Sequence, residues 1–183
     1  VEKLWQDFSE KLEAHIQQFS APQNEKMKKI NDARSQISLD CLHFANHQPG
    51  IYTLSVPTGS GKTLASMRFA LAHAKKYKKK RIFVIIPYTS IIDQNAKEIE
   101  DIFKTPEAVL EFHFDVMNEE EHSDTQEDSY TEKAELKKSL TERWDVPVIF
   151  TTQVQFLNTL FSRSRYMRRP VSYTHLRAHE TPE

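Results

Sequence analysis

Val56-Pro57-Thr58-Gly59-Ser60-Gly61-Lys62-Thr63 is the stretch that decides how this 183-residue chain is read. An apolar run, Ile51-Tyr52-Thr53-Leu54-Ser55-Val56, precedes it and reads as a buried strand. Leu64, Met67, Ala70, Leu71 and Ala74 follow it at helical spacing. Strand, glycine turn and helix form the setting in which such a loop cradles phosphate. Gly59 and Gly61 let the backbone curl so that successive N–H groups converge on phosphate oxygens. The helix beginning near Lys62 adds its positive end. Lys62 is placed to reach the outer phosphates of a nucleotide, and the Thr63 hydroxyl to ligate Mg2+. The candidate binding set is therefore Thr58, Gly59, Ser60, Gly61, Lys62 and Thr63, with Lys62 and Thr63 closest to the chemistry. The strict pattern has glycine where Val56 stands. A tight turn that binds nothing is the alternative, but two of the chain's three glycines lie in this turn beside Lys-Thr.

Composition narrows the remaining choices. A 38% hydrophobic chain of this length can build one domain plus an appendage. The net charge of -1 gives no global field for nucleic acid, so such a site must be local. The single Cys41 rules out an internal disulfide and suits a reducing compartment, and it reads as a packing residue. No apolar run approaches the about 18 residues needed to span a membrane, and Val1-Glu2-Lys3-Leu4-Trp5 is no signal peptide.

Leu4, Trp5, Phe8, Leu12, Ile16 and Phe19 mark an amphipathic helix over 1–19. A second helix is expected through Met27, Ile30, Ala33, Ile37, Cys41, Leu42 and Ala45, with Asn24 as its cap. Residues 1–46 thus form a helical lead-in. His43 and His47 are four apart, but no third ligand stands near, so they read as helix-end residues. The basic run Lys75 to Arg81 reads as a solvated helix end rather than a nucleic-acid patch. Arg81 to Ile86 is a continuous apolar strand of the kind a parallel sheet buries on both faces. A helix through Ile91, Ile92, Ile99 and Phe103 follows, then strands at Val109–Phe112 and Val146–Phe150 and a helix after Gln153. The acid-rich stretch 117–132 has no ligand spacing and reads as a solvated loop. Lys133 to Trp144 reads as a helix. Residues 171–183 have no periodicity and resemble a frame of a sequencing adaptor, so they read as a non-native tail.

Pro87-Tyr88-Thr89-Ser90-Ile91-Ile92-Asp93-Gln94 has the spacing of helicase motif Ia, and Thr151-Thr152-Gln153 sits at a strand end where motif Ic belongs. The short Gly-Ser-Gly-Lys-Thr form after Pro-Thr is the superfamily 2 helicase variant. Together with Pro49–Leu54 and Arg68-Phe69-Ala70-Leu71, these phrases resemble the helicase core of the CRISPR-associated helicase–nuclease of type I interference systems. The resemblance covers roughly residues 30–165. It implies an α/β fold: a RecA-like phosphate-loop domain over 47–170 with a mostly parallel sheet, truncated at its C-terminus. It further implies ATP and Mg2+ as cofactors, single-stranded DNA and a guide-RNA surveillance complex as partners, and a prokaryotic cytoplasmic location. Thr89, Ser90, Gln94, Thr151, Thr152 and Gln153 would face DNA, through short polar groups that hold a strand without reading its sequence.

The departures from that family are specific. The chain contains no His-Asp dipeptide, so no nuclease site is expected, and no Asp-Glu-x-His motif to hold magnesium and orient water. Phe112-His113-Phe114 stands where the family shows a His-His-Ser run. Gln36 lies near the expected adenine-reading position without matching its register. The chain alone is accordingly expected to be catalytically inactive. The rival classes are a non-helicase phosphate-loop enzyme such as a kinase, which needs arginines beside the loop, and a non-catalytic interaction fragment.

Overall fold

Two separate patterns of burial organise the chain. A computed structural model describes residues 2–18, 25–112, 146–161 and 175–177. They fall into two compact units, one built from the first 80 residues and the other beginning at Arg81. The acidic stretch 117–132, His113, Asn24 and the helix expected over 133–144 lie outside the described residues.

The first unit holds three helices, α1 (Glu2–Gln18), α2 (Glu25–Phe44) and α3 (Lys62–Lys76). On α1, Trp5, Phe8 and Leu12 recur at helical spacing and are fully buried. The Trp5 indole N–H donates to the Lys79 carbonyl at 2.7 Å, which satisfies the polar edge of a buried ring. Both α1 and α2 pack on α3, whose buried Ala65, Ala70 and Ala74 leave room for close approach. Arg68 of α3 ties the three together. Its guanidinium grips the Glu13 carboxylate of α1 at 2.5 Å and donates to Ser38 of α2 at 3.1 Å. Removing it with Arg68→Leu leaves the half-buried Glu13 charge unpaired. Urea unfolding should show a loss of about 2 kcal/mol, and an unchanged midpoint would refute this role.

The expected stripe on α2 holds only in its second half. Ser38, Cys41 and Ala45 are buried, whereas Met27, Ile30 and Ala33 face solvent. The basic run is largely occupied within its own unit. Lys76 donates to the Asn46 carbonyl at 2.7 Å, Lys78 pairs with Glu2 at 3.5 Å, and Lys75 bonds Gln6. His47 stacks on Phe44, and no group of three metal ligands occurs among the described residues.

One expectation fails. Residues 51–56 form no strand, and Ile51 is 99% exposed. An apolar, β-branched run specifies a willingness to extend; the strand exists only when a neighbour takes its N–H and C=O groups. Among the described residues no strand pairs with it. Tyr52 instead packs its ring against Phe44 and Phe69 and donates its hydroxyl to the Gln48 carbonyl.

The second unit is α/β. It comprises β1 (Ile82–Ile86), α4 (Thr89–Phe103), a 3-10 turn (Pro106–Ala108), β2 (Val109–Phe112), β3 (Val148–Thr152), α5 (Gln153–Phe161) and β4 (His175–Arg177). The sheet order is β2-β3-β1-β4 and every pairing is parallel. All five residues of β3 are buried, as a strand flanked on both sides and covered on both faces requires. Phe83, Ile85, Leu110, Val146 and Ile149 form one cluster with Phe156 of α5. Helix α4 buries Ile92, Ala96, Ile99 and Phe103 and packs against β2 and β3. The strand expected over 146–150 is displaced to 148–152, because Pro147 precedes the ladder and its carbonyl accepts the Ile82 N–H. Strand β4 falls within the stretch read as a non-native tail and pairs with the edge of β1. Backbone pairing with an apolar edge strand needs no side-chain pattern, which is why periodicity did not announce it.

No helix among the described residues is long and apolar enough to cross a membrane.

Candidate nucleotide site

The loop between Pro57 and Lys62 has the conformation its glycines allow. Ser60 N–H bonds back to the Pro57 carbonyl at 3.3 Å, closing a turn with Gly59 at φ 76. A positive φ at the third turn position is what glycine supplies at no steric cost. Gly61 caps α3 in the left-handed region, at φ 81 and ψ 27, with no side-chain cap. A Cβ on Gly59 would meet nothing within 4 Å, and one on Gly61 only Arg34 Cγ at 3.7 Å. The two glycines are required by backbone conformation and not by space.

The first bond of α3 runs from Ala65 N–H to the Gly61 carbonyl at 3.0 Å. The amides of Lys62, Thr63 and Leu64 precede it and have no partner within the helix. They carry the positive end of a 15-residue helix. Lys62 and Thr63 are half-buried, and the Lys62 ammonium has no hydrogen bond or ion pair among the described residues. Ser60 Oγ is buried and has no hydrogen-bond partner among the described residues. Free amides, an uncommitted cation and an unsatisfied hydroxyl are the donor set that a nucleotide's phosphates use. The residues fit the group: Gly59 to Thr63 would hold phosphate, and the Thr63 hydroxyl would take Mg2+. Bound Mg-ATP supplies the transferable phosphoryl group.

Sequence reasoning missed the neighbour of this loop. Arg34 on α2 donates from Nε and Nη2 to the Gly59 carbonyl, at 3.0 and 2.8 Å. Beside it a cavity of about 140 Å3 is lined by Ile16, Asn31, Arg34, Ser38, Gly61 and Leu64, among others. Gln36 is exposed and its amide donates to Asp40 at 2.9 Å. Arg68 points away into its Glu13 and Ser38 contacts, so it is not the loop-side arginine a kinase would need.

Cys41 is buried. Burial pushes its thiol up, the Asp40 carboxylate adds to this, and Arg68 opposes it. The reactive thiolate is thereby suppressed in the folded chain. At pH 8 a disulfide reagent should modify Cys41 at least about tenfold more slowly in buffer than in urea. Equal rates would show that the site is open.

The second unit carries the other candidates. β1 and β3 are neighbours, and Ile86 lies opposite Thr152. The starts of α4 and α5 therefore emerge from the same end of adjacent strands. Thr89 is half-buried, and Ser90 and Gln94 are exposed. Thr151 is buried. Thr152 is also buried, and its hydroxyl accepts the Gln155 N–H at 3.2 Å, capping α5. Gln153 is exposed. Of the Thr-Thr-Gln phrase, only Gln153 presents an exposed side chain.

A phosphate loop opening α3, in a chain with a parallel α/β sheet, marks a phosphate-loop nucleotide-binding protein. Residues 11–169 match the family described as type III restriction enzyme, res subunit, and the chain belongs to that family. The family match narrows it to a helicase-like ATP-binding domain. A comparison with curated proteins finds no match.

Proposed function

We propose that this chain is the ATP-binding half of an ATP-dependent DNA helicase or translocase that acts in CRISPR antiviral defence. The observation that carries the ATP-binding part is the loop itself: two glycines at positive φ, amides at the start of α3 with no partner within the helix, and a Lys62 ammonium unpaired among the described residues. The defence role rests on the resemblance carried jointly by Pro49 to Thr63, Arg68 to Leu71, Ile86 to Ile92 and Thr151 to Gln155, and a guide-RNA surveillance complex is the partner it implies. The chain binds Mg-ATP but does not turn it over alone, because its sequence has no Asp-Glu dipeptide to hold magnesium and align water. The test is ATP hydrolysis with and without single-stranded DNA. Background turnover in both is expected. DNA-stimulated hydrolysis that Lys62→Ala abolishes would overturn the inactive-alone reading.

Single-stranded DNA passes over the shared strand end, with Thr89, Ser90, Gln94 and Gln153 as its side-chain contacts and the buried Thr151 and Thr152 shaping the edge beneath them. Support comes from the Ile86–Thr152 register, which brings two helix N-termini to one edge. Carboxylates at the exposed positions, Ser90→Asp with Gln153→Glu, should weaken binding of an oligothymidine about tenfold at low salt. Unchanged affinity would remove DNA from this edge.

A further inference from the structure

The phosphate loop is held from outside its own motif. We infer that Arg34 is a positioning residue for the nucleotide site, and that α2 is thereby part of that site. The inference rests on the nucleotide-binding reading of the loop.

The argument starts from the fork. Nε and Nη2 of Arg34 converge on one acceptor, the Gly59 carbonyl, at 3.0 and 2.8 Å. Charge-assisted bonds from a planar guanidinium fix direction as well as distance. A trans peptide points its C=O and its N–H to opposite sides. Turning the Gly59 carbonyl toward Arg34 therefore turns the Ser60 N–H to the far side of the same peptide. Among the described residues that amide is held only by the 3.3 Å bond to Pro57 O, long enough for a phosphate oxygen to compete with it. The Arg34 stem also lies along Gly61, its Cγ 3.7 Å from where a Cβ would stand. Arg34 thus touches both glycines whose backbone angles define the loop. Glycine is the most mobile residue type, so a loop built on two of them loses the most entropy when a ligand orders it. A clamp that orders it beforehand removes part of that cost from binding.

Arg34 makes these contacts while itself exposed, and its guanidinium makes no other hydrogen bond among the described residues. It is well placed for the loop and adds little to the core. The two roles separate experimentally.

Titrate the full chain with Mg-ADP and, separately, with inorganic pyrophosphate, which has no base or ribose. Arg34→Ala should weaken both by a similar factor of about ten, while the unfolding midpoint of the free protein stays with that of the exposed neighbour variant Asp32→Ala. Arg34→Lys should restore only part of the affinity, since one ammonium cannot form the fork. If Lys62→Ala abolishes binding but Arg34→Ala leaves it unchanged, the inference is wrong. It is also wrong if Arg34→Ala weakens Mg-ADP alone, since Arg34 would then serve the nucleoside. If Lys62→Ala leaves binding intact, the nucleotide reading itself fails. Should Arg34→Ala fold poorly, Arg34→Gln replaces it under the same criteria.

Discussion

Lys62→Ala should lower the affinity for Mg-ATP at least about a hundredfold, a loss near 2.7 kcal/mol. The loop's amides supply partial charges, and the helix end contributes about half a unit charge. The Lys62 ammonium is the full charge in the set, and it has no hydrogen bond or ion pair among the described residues. Its removal deletes a charge-assisted contact without freeing a buried partner. The folded state should therefore be nearly indifferent. The free protein's unfolding midpoint should move by no more than about 0.5 kcal/mol, as for an ordinary surface change. Loss of affinity with intact stability identifies a binding residue. A drop in both would mean that Lys62 props up the loop instead. The amides of Lys62, Thr63 and Leu64 remain in the variant, so weak residual binding of pyrophosphate is expected.

The largest stability effect should come from the centre of the second unit. Phe150 lies on β3, between β2 and β1, and is fully buried. Phe150→Ala should cost about 3–5 kcal/mol, combining the lost transfer energy with an unfilled cavity. Two features keep the site from collapsing to fill it. β3 is hydrogen-bonded along both edges, to β1 and to β2. Its neighbours Ile149 and Thr151 are themselves fully buried. Val154, in the first turn of α5, is 67% exposed, and Val154→Ala should change stability by under about 0.5 kcal/mol. Urea titrations of the two variants test the contrast. Equal midpoints would mean that β3 is not the core strand.

Much of this arrangement could be read from residues alone. α3 runs over 62–76 as its apolar spacing requires, and β1 follows its apolar run to within a residue. Patterns of this kind are local: each residue's burial depends on its own helix or strand period. The misreadings are non-local. Ile51 to Val56 has a strand's composition, but composition cannot say whether a partner strand lies alongside. The first half of α2 looks amphipathic, but Met27 and Ile30 would be buried only if another element covered them. The same limit hid Arg34. Its contact with the Gly59 carbonyl spans 25 residues and involves a backbone atom, which no side-chain motif encodes. Thr152 shows the opposite case. Thr152-Gln153-Val154-Gln155 has the form of a capping box, a local signal, and the hydroxyl-to-Gln155 bond is what that form predicts.

The most direct test of the account uses the scarcity of glycine. The chain has three glycines, Gly50, Gly59 and Gly61, so labelling with 15N-glycine gives three amide cross-peaks. Adding Mg-ADP should move two of them, Gly59 and Gly61, saturably and with one affinity, and leave Gly50 in place. The same two should stay still in Lys62→Ala at that concentration. If no glycine peak moves, or if Gly50 alone responds, the Gly59–Gly61 loop does not hold nucleotide phosphates and the account is wrong.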